Sequence, residues 1–121
     1  MVLVGASVAV LAALALLASR PAMPVSWRQL HVGMTQREAE RLFGPDGEAQ
    51  CMGCWERFEC PAPMLGADSR WRLLVDYDEP ANSGGARLVR ATARFVHPLA
   101  LLNSKPRTLV GINAPTNGSS Q

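Results

Sequence analysis

His-Val-Gly-Met-Thr-Gln-Arg-Glu-Ala-Glu-Arg-Leu-Phe-Gly-Pro, residues 31–45, reads as one short helix with both its ends specified. Thr35 is a good N-cap, because its hydroxyl accepts from the free amides of a first turn, and Glu38 three residues on reaches back to close a capping box. The helix therefore starts at Gln36. Ala39, Leu42 and Phe43 recur at helical spacing on one face, which leaves Gln36, Arg37, Glu40 and Arg41 for water. Gly44 offers the left-handed residue that ends a helix, and Pro45 forbids continuation.

Upstream, Ser26 is a second cap with Gln29 at the capping-box position, so Trp27–Leu30 is predicted to form one helical turn, interrupted at Gly33. Downstream of a loop from Pro61 to Ser69 the period changes to two. Trp71, Leu73, Val75 and Tyr77 alternate with Arg72, Leu74, Asp76 and Asp78, a half-buried strand that Pro80 ends. Asn82-Ser83-Gly84-Gly85 supplies a turn. Leu88–Val96 then reads as a second strand, with Val89, Ala91, Ala93 and Phe95 on one face and Arg90, Thr92 and Arg94 on the other. A further strand is expected around Cys51–Glu59. The fold class expected is α+β: an N-terminal apolar membrane helix, then two short helices packed on a three-stranded antiparallel sheet. The division is 1–19 membrane anchor or signal segment, 20–25 a spacer stiffened by Pro21 and Pro24, 26–97 a small α+β domain, and 98–121 a flexible tail.

The stretch Gly33-Met34-Thr35, then Glu38, Ala39, Leu42 and Gly44, resembles the SmpA/OmlA, or BamE-like, domain family of outer-membrane assembly lipoproteins. The likeness is close over residues 31–45 and loose, through the order of elements, over 26–97. Phe43 stands where the family pattern has a second Leu, and Pro45 comes one residue early. The resemblance implies a small α+β domain that supports assembly of envelope proteins, and Gly33, Met34, Thr35, Glu38, Leu42 and Gly44 as its structural motif.

Residues 2–18 carry no charge, and only Gly5 and Ser7 interrupt the apolar run. As a helix such a run spans about 25 Å, at the short limit for crossing a bilayer. No basic residue precedes it, and Leu16-Leu17-Ala18 puts Leu where a signal-peptide cleavage site wants a small residue, so an uncleaved anchor is the expectation. Family lipoproteins are attached through a Cys directly after the run; here Ser19-Arg20 follows. Arg20 and Arg28 favour a cytoplasmic carboxyl side, whereas the resemblance implies a single-pass membrane protein with a periplasmic domain, and that is the placement expected.

A net charge of +2 is too small to argue for nucleic acid, and the arginines are spread among acids without an aromatic-basic stripe. His31 and His97 are the only histidines. With no nucleophile motif, phosphate loop or His-Glu-x-x-His, neither an enzyme, a cofactor nor a small-molecule substrate is expected.

Residues 51–60, Cys-Met-Gly-Cys-Trp-Glu-Arg-Phe-Glu-Cys, leave three readings open. Cys51, Cys54 and Cys60 hold one disulfide and a leftover thiol in an oxidising compartment, or they are simply packed, or they serve metal or redox chemistry. A zinc site would need His31 or His97 as fourth ligand. The function expected is a membrane-tethered interaction module whose open sheet face carries Arg72, Leu74, Asp76, Arg90, Thr92, Arg94 and Val96. Arg72, Asp76, Arg90 and Arg94 are its partner-binding candidates, and the resemblance implies another envelope protein as the partner. A small thiol-redox or zinc-binding protein is the alternative.

Overall fold

Five strands form one antiparallel sheet whose order in space is their order along the chain: β1 Glu48–Met52, β2 Trp55–Pro61, β3 Arg70–Tyr77, β4 Leu88–Val96 and β5 Arg107–Val110. The strands follow an apolar helix α1, Val2–Ala18, a 3-10 turn at Val25–Gln29, and a helix α2, Gln36–Phe43; a second 3-10 turn, Ala100–Leu102, precedes β5. The computed structural model describes residues 2–18 and 20–111.

The helix α2 forms where its local signals place it. Thr35 Oγ1 accepts from the Glu38 amide at 3.1 Å, and Glu38 Oε1 accepts from the Thr35 amide at 2.9 Å, the reciprocal pair of a capping box. The Thr35 amide, followed by its hydroxyl, holds the Glu38 carboxyl below its usual range. At the other end, two side chains from the preceding turn satisfy carbonyls that would be orphaned: Ser26 Oγ donates to Leu42 O at 2.7 Å and Trp27 Nε1 to Phe43 O at 3.0 Å. Ser26 is therefore not the N-cap its sequence predicts; Pro24 holds that position and no side chain caps the turn. Gly44 has a positive φ of 102° as expected, but its ψ of 161° is extended, not left-handed helical.

One face of the sheet carries the core. The register sets Leu73 between Phe58 and Ala93, and Val75 between Glu56 and Ala91. With Trp27, Leu30, Met34, Ala39 and Phe43 from the helical layer they form the main hydrophobic cluster. Phe58 meets Trp27 edge-on at 6.3 Å and Phe43 at 5.4 Å between ring centroids. A register shift at Asp76/Tyr77 brings Leu88 opposite Tyr77. Leu88 is thus fully buried while Val89 is 40% exposed, which corrects the inward position predicted for Val89. A smaller cluster of Met64, Phe95 and Leu102 packs with Trp71 at the far end of the sheet. There Trp71 Nε1 donates to Pro21 O at 2.9 Å, and the Arg20 guanidinium lies 5.6 Å from the Phe95 ring centre.

Four further expectations are corrected. The sheet has five strands, not three. The single strand expected around Cys51–Glu59 is a hairpin: Gly53, at φ 61°, takes the first central position of a tight turn between Met52 and Trp55, as a type II′ turn requires. The stretch 98–121 expected to be a flexible tail contributes β5, which pairs with β4 and buries Val110; its last part, 112–121, lies outside the described residues. Finally, the membrane helix, the transmembrane keyword and the single-pass location fail on length. Helix α1 has 17 residues, and among the described residues no helix is long and apolar enough to cross a membrane.

Candidate functional site

Beneath α2, at the β1–β2 end of the core face, three elements bring polar groups together. Glu56 points inward from β2 and is 1% exposed. Tyr77 of β3 donates its hydroxyl to Glu56 Oε1 at 2.7 Å, and the Cys51 thiol of β1 donates to Oε2 at 3.2 Å. Glu40 of α2 completes the group: one donor atom from each of Glu40, Cys51 and Glu56 lies within 4.8 Å of the other two. Gln36, one helical turn before Glu40, roofs the cluster. Its amide nitrogen is 3.0 Å from Glu40 Oε2 and 3.1 Å from Asn82 Oδ1, while its oxygen accepts from the Asn82 amide at 2.6 Å. Beside it an open groove of about 480 Å³ runs between α2 (Gln36, Arg37, Glu40) and the β3–β4 loop (Asn82, Gly84, Ala86).

The electrostatics follow from burial and from like charges. Burial, then the neighbouring Glu40 carboxyl, push Glu56 up to about 7. Burial, then the Glu56 acceptor, push the Cys51 thiol up to about 11, and the same two causes raise the Tyr77 hydroxyl. The Cys51 thiol is therefore protonated at neutral pH, the form in which a thiol is a weak nucleophile. Glu40, Cys51 and Glu56 are the donors that could hold a cation, with Cys51 first giving up its proton, and carboxylate with thiolate is a set zinc accepts.

All three cysteines are free thiols. Cys51, near the end of β1, and Cys54, the second central residue of the hairpin turn, are exposed, whereas Cys60 is half-buried further along β2. Cys60 stands four residues from the position opposite Cys51, about 13 Å along the strand, beyond the reach of a disulfide. Neither histidine is placed as the fourth zinc ligand. His97 is buried at the opposite end, its Nε2 3.1 Å from Met64 O and its Nδ1 accepting from the Leu99 amide at 3.0 Å, and His31 is exposed in the loop before α2.

The 3-10 turn and α2 pack on the core face; on the other face the register forms a lattice. Glu48, Glu59, Arg72 and Arg94 lie opposite one another across four strands; the next row is Gln50, Arg57, Leu74 and Thr92, and the next Met52, Trp55, Asp76 and Arg90. The four partner-binding candidates, Arg72, Asp76, Arg90 and Arg94, thus share this face as the alternation predicts. Glu59 is shared by Arg70 at 2.6 Å, Arg72 at 3.4 Å and Arg57 at 3.5 Å. Burial alone would raise its carboxyl, but these arginines hold it below the usual range. Asp76 pairs with Arg90 at 2.9 Å. Among the described residues Arg94 makes no ion pair, and the Nε atoms of Arg57 and Arg72 are buried without a hydrogen-bond partner.

Sequence reasoning missed Glu40, Glu56, Tyr77 and Gln36 as a group. The signal for one of them was present: the alternation that turns Phe58 inward turns Glu56 inward too, and a carboxyl at a core position is rare without a partner. No family model, curated protein or solved structure matches the chain.

Proposed function

We propose that this protein is a small interaction module that holds another protein against the open face of its sheet and performs no chemistry of its own. One observation carries the reading: the turn, α2 and the hydrophobic core lie on one side, while the opposite side presents five arginines together with half-buried Trp55, Leu74 and Val96. Mixed polar and apolar groups of this kind suit a contact between proteins that also exist apart. The likeness of residues 31–45 to BamE-like domains supports an outer-membrane assembly protein as the partner class. The test is photo-crosslinking in cells from Thr92, on the open face, with Arg37 on α2 as the control position. Capture of a discrete protein from Thr92 and not from Arg37 is the expected result. Equal capture from both, or none from Thr92, overturns the proposal.

A further inference from the structure

We infer that the partner presents an acidic segment with apolar residues interleaved, its carboxylates lying on Arg72, Arg94 and Arg90 and its apolar side chains on Leu74. This rests on the docking reading above and adds the chemistry of what docks.

The charge on the face is unevenly placed. On β3 and β4 the face carries Arg70, Arg72, Arg90 and Arg94 against the single carboxylate Asp76. Arg72 and Arg94 stand directly opposite each other across the two strands, a like-charge pairing that is unfavourable by itself. The carboxylate opposite Arg72, Glu59, is already divided among three arginines, and among the described residues Arg94 has none. A carboxylate from outside, seated between Arg72 and Arg94, would relieve the repulsion and accept from the exposed Arg94 guanidinium, which has no ion pair among the described residues. Arg90 and Arg94 lie four residues apart on one side of β4, about 13 Å, with Thr92 between them and Leu74 beside Thr92. That spacing fits a segment whose acidic groups recur on either side of an apolar one.

A nucleic acid fits less well. Trp55 is the one aromatic on this face among the described residues, so there is no platform on which successive bases stack. Glu48, Glu59 and Asp76 are set into the same lattice and repel a continuous phosphate backbone.

The test uses the full chain and a fluorescein-labelled peptide of Glu-Ala-Leu-Ala repeats, which when extended sets its Glu side chains about 13 Å apart on one side with Leu between them, read by fluorescence anisotropy. A peptide with Lys in place of Glu and a single-stranded oligothymidylate serve as comparisons. The acidic peptide is expected to bind, and to bind more weakly as salt is raised. Arg72→Glu and Arg94→Glu should each weaken it roughly tenfold or more, Arg94→Gln less, and Arg37→Glu, on the other side of the molecule, hardly at all. Unchanged melting of each variant establishes that it is folded. The inference is overturned by failure of the acidic peptide to bind, by equal binding of the Lys peptide, by indifference to Arg94→Glu, or by tighter binding of the oligothymidylate. Crosslinking from Thr92 separates the two levels. If Arg94→Glu protein captures the partner as well as the parent does, the docking face stands and the acidic chemistry falls. If Thr92 captures nothing in the parent, the docking face falls and the inference with it.

Discussion

Glu56 occupies a position where β2 would ordinarily turn an apolar side chain inward, and that placement makes stability fall as pH rises. Its carboxyl is raised from an ordinary 4.5 to about 7 in the folded protein, so between those values the folded state binds more protons than the unfolded chain. Stability from this group is fully present below about 4.5, falls as pH rises through about 7, and is flat above. The loss is about 2 kcal/mol, less than the full shift implies because Glu40 on the other side of the pair is open to water. Glu59 acts in the opposite sense: its carboxyl is lowered, so its contribution is lost as pH falls. Urea midpoints of the parent and of Glu56→Gln, measured on both sides of the window, isolate the first effect. The parent should lose stability relative to the variant as pH rises, and parallel curves would show that Glu56 is not proton-linked.

The elements differ in how far their own residues specify them. Helix α2 was legible because its cap, box, apolar face and terminal glycine are all local, and Thr35→Ala should cost roughly 0.5–2 kcal/mol in thermal or urea unfolding. The β1–β2 hairpin was not legible. Its turn glycine, Gly53, lies inside the CxxC spacing that drew attention to the thiols, and β1 is exposed along its whole length, so it has no buried alternation to read. Gly47, just before β1, is held to glycine by packing: a Cβ there would collide with the Phe58 ring and the Glu59 carbonyl. Gly47→Ala should therefore cost at least ~1 kcal/mol, and unchanged unfolding would mean that β1 leaves the sheet readily. The arginine lattice was legible because a period of two suffices to place Arg72, Asp76, Arg90 and Arg94 together. The Glu40–Cys51–Glu56 group was not, since it joins a helix and two strands whose register no local pattern states.

At the scale of the molecule, β5 decides whether β4 is an edge. Val110→Asp puts a charge at the buried residue that anchors β5 and should release the strand, exposing β4 along Ala91–Ala93. The expected outcome is a lower melting temperature and self-association at high concentration, measured by light scattering; a stable monomer would show that β5 only decorates the sheet. The strand order has another result. Each strand pairs with its neighbour in the chain, so the sheet can be assembled hairpin by hairpin, each step closing a short loop. The helical layer is different: Gly33 N donates to Leu88 O at 2.8 Å and Leu88 N to Met34 O at 2.9 Å, joining the approach to α2 to a strand more than fifty residues later. As the chain emerges from the ribosome, α2 must therefore wait with its apolar face uncovered until three strands and the start of a fourth have followed it, and that interval is when a nascent chain of this kind most needs a chaperone.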